Sequence, residues 1–324
     1  MEDITNIIEA KNLSKNYKIQ DAKGGVINRL FSREYKIINA VNDVSFEVKR
    51  GEMIGFIGPN GAGKSTTIKM MSGILVPSSG EIKVLGNNPY QRRKKNAFKI
   101  GVIFGQRSQL WWDLPLVDTF KLLKSMYRIS DDVYKKNMEI FLNELKINEF
   151  FHQPVRLLSL GQRMRGEIAA AMLHDPEILF LDEPTIGLDI VAKQQVREFV
   201  KSINCLREVT VILTTHDMKD IEDLCERIVL INHGNIVLDM PLDSVIDKFS
   251  KTIDIVITFS SPPLNLFALE GCNIIKNGEF KYTFRIEKSK ISISELISHY
   301  IAGYEIGDIS IQKTEVEEIM RQLF

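Results

Sequence analysis

The stretch Gly58-Pro59-Asn60-Gly61-Ala62-Gly63-Lys64-Ser65-Thr66 constrains this chain more than any other. It follows the apolar run Met53-Ile54-Gly55-Phe56-Ile57, which reads as a buried strand, and it opens a helix predicted over 63–72. A strand, a glycine-rich turn and a helix in that order belong to an α/β sheet. The spacing Gly58-x-x-x-x-Gly63-Lys64-Ser65 is that of a phosphate-cradling loop. Its glycines let the backbone come close to an anion, and its N–H groups and the positive helix end face that anion. Lys64 is placed to neutralise the β and γ phosphates of a nucleotide, and the Ser65 hydroxyl to ligate Mg²⁺.

A second run, Ile178-Leu179-Phe180-Leu181-Asp182-Glu183, reads as a buried strand ending in two acids. Asp182 stands at the carboxyl end of its strand, where α/β sheets place ligands. It suits a carboxylate that holds Mg²⁺. Glu183, one residue further, suits a base that orients an attacking water. A strand that simply ends in solvated acids would look the same, and the phosphate loop is what separates the two readings.

Around these runs the pattern alternates. Strands are predicted at 7–17, 44–49, 81–85, 99–104, 178–182, 209–214, 228–232 and 235–239, and helices at 116–147, 162–173, 190–203 and near 218–225. The second of these, Val44-Ser45-Phe46-Glu47-Val48-Lys49, alternates as a half-solvated antiparallel strand does,. Helices alternating with apolar strands imply a mainly parallel sheet. The helical block between 107 and 175 interrupts that order and reads as a subdomain. Residues 18–38 read as an inserted loop with a helical turn near Val26–Leu30. Beyond about 248 the character changes to a small α+β unit. Its first segment, Thr252–Phe259, alternates like an exposed strand, and Ser260-Ser261-Pro262-Pro263 breaks it.

Lys plus Arg equals Asp plus Glu at 42 each, so net charge gives no reason to expect nucleic acid as a partner,. Arg92-Arg93-Lys94-Lys95 reads as a solvated face. Cys205, Cys225 and Cys272 have no metal spacing and read as reduced thiols,. His152, His174, His233 and His299 read as structural or surface groups, and Asp113 and Asp118 as capping or surface groups. The N-terminus lacks the layout of a signal peptide, and no run approaches the roughly 20 apolar residues of a membrane span.

Leu158-Ser159-Leu160-Gly161-Gln162 resembles the Leu-Ser-Gly-Gly-Gln signature of ABC ATPases, with Leu160 where glycine is usual. The other landmarks of that family follow in order. Tyr17 matches the aromatic residue that stacks on adenine, Gln106 the glutamine that senses Mg²⁺ and the γ-phosphate, Gly187-Leu188-Asp189 the loop that touches an opposite subunit, and His216 the switch histidine. The resemblance covers about 5–240. It implies a P-loop NTPase core of parallel sheet, antiparallel β subdomain and α-helical subdomain, followed by a small C-terminal α+β domain over 249–324.

The resemblance also implies an ATP hydrolase that uses ATP and Mg²⁺. Its nucleotide contacts would be Tyr17, Gly58 through Thr66, Gln106, Ser159, Gly161, Gln162 and Asp189. Its metal ligands would be Ser65, Gln106 and Asp182, and its catalytic groups Glu183 and His216. In the family two such chains pair head to tail and serve an integral membrane subunit, so the expected place is cytoplasmic, peripheral on the inner face of the cell membrane. The run Gln106–Pro115, with Trp111 and Trp112 as a contact patch or as packing for the helical subdomain, resembles the ATP-binding subunits of ABC-2 type multidrug or viologen exporters. The 18–38 insertion also occurs in exporters of polysaccharide or teichoic acid precursors. ABC ATPases that act on ribosomes or DNA carry paired ATPase domains, charged linkers or coiled coils, which this sequence lacks.

Overall fold

The computed structural model describes residues 6–20, 35–105, 107–263, 266–312 and 316–323. The chain divides into two compact units, Met1–Met240 and Pro241–Phe324.

The first unit is built on a six-stranded sheet in the order β5-β6-β7-β3-β8-β9. Its strands are β3 (Met53–Ile57), β5 (Ile100–Phe104), β6 (Ile178–Asp182), β7 (Thr210–Thr214), β8 (Arg227–Asn232) and β9 (Asn235–Pro241). The pairs β5–β6, β6–β7, β7–β3 and β3–β8 are parallel. Every residue of β3 and β7 is buried. Such strands have no polar face and read as continuous apolar runs, because a parallel sheet is covered on both sides.

A second sheet, β2-β1-β4, is antiparallel and comprises β1 (Asn6–Gln20), β2 (Tyr35–Lys49) and β4 (Ser79–Val84). Val44, Phe46 and Val48 are buried in the common core, which includes Ile54, Phe56, Ile68 and Phe180. The inserted loop expected at 18–38 is corrected at both ends: 18–20 and 35–38 continue the hairpin strands, with Tyr17 opposite Ile38 and Gln20 opposite Tyr35. Tyr35, Ile37 and Ile38 are all exposed. With no face buried there is no alternation to read. The helical turn expected near Val26–Leu30 lies outside the described residues.

Helix α1 (Lys64–Met71) follows the glycine loop, and the short α2 (Arg93–Ala97) carries the basic run, whose Arg92–Lys95 are exposed. The helical block is α3 (Leu116–Tyr127), α4 (Asp131–Glu144) and α5 (Leu160–Met172). Ser130 caps α4 by accepting from the Val133 N–H. Helix α5 starts two residues before the expected 162, because Ser159 and Gln162 close a capping box. Helices α6 (Ile190–Arg207) and α7 (Met218–Leu224) complete the unit.

The second unit begins with α8 (Leu242–Phe249), a helix the sequence reading left between the domains. Its four-stranded sheet has the order β11-β12-β10-β13, with β10 (Thr252–Phe259), β11 (Cys272–Lys276), β12 (Lys281–Glu287) and β13 (Ile306–Gln312). The exposed strand expected at 252–259 is an interior strand, paired antiparallel on both sides. Ile255, Ile257, Phe259 and Phe284 on one face form a core with Leu296 and Tyr300 of α9 (Ile293–Gly303). On the other face Arg285 forks onto Asp254 at 2.8 and 2.7 Å. A last helix, α10 (Val316–Leu323), buries Val316, Ile319 and Met320.

Candidate functional site

The glycine loop joins buried β3 to α1. A Cβ on Gly58 would stand 2.0 Å from the Ile231 carbonyl oxygen, and one on Gly63 2.4 Å from that of Ala40. Both residues also have positive φ, 155° and 110°. These two contacts explain why glycine is required at each end of the loop. Gly63 caps α1 without a side chain, so the first N–H groups of the helix stay open to an anion,.

Lys64 is only 5% exposed. Its ammonium donates to the Gly58 oxygen at 2.6 Å and the Pro59 oxygen at 3.1 Å. Burial pulls its pKa below the ordinary range, against the opposing charges of Glu183 and Asp182,. Ser65 Oγ donates to Asp182 Oδ1 at 3.0 Å, and Thr214 Oγ1 donates to the same oxygen at 2.6 Å. Parallel pairing places Asp182 directly beside Thr214. Thr214 was missed in the sequence. The signal was present as a hydroxyl at the end of a buried strand, two residues before His216.

Glu183 turns away from the strand with φ 57°, a left-handed geometry uncommon outside glycine,. Its N–H is held by the Thr214 carbonyl at 2.9 Å, and its Oε1 lies 2.9 Å from His216 Nε2. Ser65, Asp182 and Glu183 line a cavity of about 280 Å³ together with Phe104, Gly105 and Arg107. Gln106, between the last two, lies outside the described residues. The segment that follows is tied to α5: buried Glu167 accepts from Ser108 Oγ and from the Gln109 N–H. Burial pushes the Glu167 carboxyl above its ordinary range, against these hydrogen bonds.

Tyr17 is 36% exposed on β1, with Lys15 Nζ 5.6 Å from its ring centroid. Its partner strand β2 runs past Gly63 at Ala40. In the first turn of α1, Thr66 is half-buried, and Asn60 at the loop tip is exposed.

Ser159 Oγ accepts from the Gln162 N–H at 3.2 Å, and Gln162 Oε1 accepts from the Ser159 N–H at 2.9 Å. A Cβ on Gly161 would meet Ala192 at 2.9 Å, and one on Gly187 would meet Leu160 at 3.0 Å. The segment 158–162 therefore lies against 187–192, where Asp189 caps α6 by accepting from the Ala192 N–H at 2.8 Å. Among the described residues, no hydrogen bond or ion pair joins 158–162 to the glycine loop. Trp111 and Trp112 are 38% and 52% exposed, with Arg163 lying over the Trp112 ring.

The ABC transporter family matches residues 41–186. The ABC transporter ATP-binding protein NatA of Bacillus subtilis (strain 168) is 30% identical over 221 residues, which are 68% of this chain and 89% of NatA. The chain belongs to the ATP-binding proteins of the ABC transporter family. It is accordingly an ATPase. The linearmycin resistance ATP-binding protein LnrL of the same organism is 36% identical over 197 residues, 61% of this chain and 63% of LnrL. Among solved structures, a dimeric ATP-binding cassette in a post-hydrolysis state with ADP and phosphate superposes with a TM-score of 0.61 at 27% identity, over 72% of this chain and 98% of that one.

The residues fit a magnesium nucleotide. Among those described, no group of three or more His, Cys, Asp or Glu side chains could hold a metal by itself. Ser65 and Asp182 offer one hydroxyl and one carboxylate side by side. That sparse oxygen set suits Mg²⁺, which keeps waters and takes further ligands from phosphates. No helix among the described residues is long and apolar enough to cross a membrane.

Proposed function

We propose that this ABC ATPase is the ATP-binding subunit of an exporter. Two chains close head to tail on two Mg-ATP molecules and drive a separate membrane subunit from the inner face of the cell membrane. One observation carries the pairing. Ser65, Asp182 and Glu183 line one cavity, with His216 paired to Glu183, whereas among the described residues the signature Ser159–Gln162 has no bond to the glycine loop of its own chain. A second chain supplies the missing face, with Asp189 beside the signature at the junction.

In this reading the loop amides and Lys64 take the β and γ phosphates, and Tyr17 stacks on adenine. Ser65, Asp182 and Gln106 hold Mg²⁺, which neutralises phosphate charge. Glu183 orients and deprotonates the attacking water. His216, fixed against Glu183, donates toward the γ-phosphate. Most of the rate comes from position and charge. Export is supported by the resistance role in the name of LnrL and by the exposed Trp111 and Trp112 beside the Gln106 segment, which offer a membrane subunit an apolar foothold,. The insertion at 18–38, whose described ends extend the β1–β2 pairing, favours a second reading, export of polysaccharide or teichoic acid precursors.

Glu183→Gln tests the core of the proposal. With ATP and Mg²⁺ the variant should bind nucleotide, hydrolyse at least about a hundredfold more slowly and elute as a dimer. A monomer under those conditions would refute the pairing, and the normal rate would refute the base. Co-purification of the membrane subunit separates the two export readings.

A further inference from the structure

Behind the Glu183–His216 pair lies a buried polar node that the reaction itself does not touch. Its centre is Asp220 on α7, which is 0% exposed. Asp220 Oδ2 accepts from Thr185 Oγ1, two residues after Glu183, and from Thr215 Oγ1 at 2.8 Å, one residue before His216. Asp220 Oδ1 accepts from Arg197 Nη1 of α6 at 2.9 Å. Thr185, Thr215 and Arg197 are 3%, 2% and 7% exposed. One carboxylate thus bonds the loop after β6, the loop after β7 and α6 at once.

Further contacts tighten the same geometry. The Asp217 N–H donates to Thr215 Oγ1 at 3.0 Å, so the residues on both sides of His216 are fixed. Lys193, one turn before Arg197 on α6, donates to Asp217 Oδ2 at 2.6 Å. Asp189 is the N-cap of helix α6. The helix that starts beside the signature therefore bonds the switch loop directly at Asp217 and, through Asp220, at Thr215.

A buried ion pair gives little stability over an apolar filling of the same shape, because desolvation offsets the attraction. Its value lies in direction. Three donors on one carboxylate leave the two loops no independent freedom, and a displacement of either breaks a bond to the other. We propose that Asp220, acting through Thr185 and Thr215, is the positioning residue that holds Glu183 and His216 in register. This rests on the roles given to those two residues above.

The test compares Thr215→Val, Thr215→Ser and Asp220→Asn in steady-state ATP hydrolysis, with Glu183→Gln in parallel. Thr215→Val keeps the branched shape and removes the hydroxyl. It should lower kcat roughly tenfold to a hundredfold with KM for ATP unchanged, and Thr215→Ser should restore the rate. Asp220→Asn should behave as Thr215→Val does; if it does not fold, Thr185→Val takes its place. Wild-type kcat in Thr215→Val overturns the proposal. So does a parallel change of kcat, KM and melting temperature that Thr215→Ser shares, since that is the pattern of a merely structural role. A normal rate in Glu183→Gln removes the base and this inference together. An inactive Glu183→Gln beside a fully active Thr215→Val removes the inference alone.

Discussion

Acidification should destabilise the ATPase unit through one side chain, His174. Its ring stacks on Tyr127 with centroids 4.1 Å apart, and Nε2 lies 3.0 Å from the Ile100 carbonyl oxygen. Burial lowers its pKa from the ordinary 6.5 to about 4, against the raising effects of the Ile100 bond and Asp175. A base held neutral in the folded chain takes up its proton first in the unfolded chain. Its contribution is complete above pH 6.5 and is lost as pH falls from there to about 4,. The full loss is about 3 kcal/mol, of which about 2 kcal/mol is reached by pH ~5. Urea unfolding of wild type and His174→Gln between pH ~7.5 and ~5 measures it. Glutamine keeps a donor for Ile100 but does not titrate, and the carboxylates common to both proteins cancel in the comparison. The advantage of wild type over the variant should shrink by about 2 kcal/mol across that range. Parallel pH curves, or an NMR titration of His174 centred near 6.5, would refute the reasoning.

Two further outcomes are expected. Lys64→Ala removes the charge proposed to meet the phosphates and should weaken ATP binding roughly tenfold to a hundredfold, measurable by calorimetry; unchanged affinity would exclude the phosphate role. Truncation after Met240, where the second unit begins, should leave intrinsic ATP hydrolysis in place, and a complete loss would make the second unit part of the catalytic apparatus.

The parallel sheet was legible because β3, β6 and β7 are short apolar runs bounded by turns, and the chemistry concentrates at their carboxyl ends. Asp182 and Glu183 stand at the end of such a run, and the structure brings Asp182 to Ser65 of the glycine loop. What could not be read was lateral. Thr214 meets Asp182 only because β6 and β7 are neighbours, and strand order is not written in either segment. Asp220 accepts on Oδ2 from residues 35 and 5 positions away and on Oδ1 from one 23 positions away, so no local pattern marks it. The outer hairpin strand 35–38 escaped notice because its side chains are exposed on both faces. Strand β10 misled for another reason. Its polar positions Asp254 and Thr258 alternate as a solvated face would, yet Asp254 is held by Arg285 within a two-sided sheet. The start of α5 was displaced because a capping box uses side chains that the family resemblance assigns to phosphate.

The bond between Lys64 and the carbonyls of Gly58 and Pro59 has a thermodynamic consequence. A loop braced by its own lysine, with Gly58 and Gly63 wedged against Ile231 and Ala40, has few conformations left to lose. Ordering a flexible loop of this length would cost on the order of 1–2 kcal/mol per residue, and folding of the unit has already met that cost. If nucleotide binds this loop, as proposed, it should exchange hydrogen-bond partners at fixed positions and order little chain. Its expected signature in calorimetry is a favourable enthalpy with only a small entropic penalty from the protein.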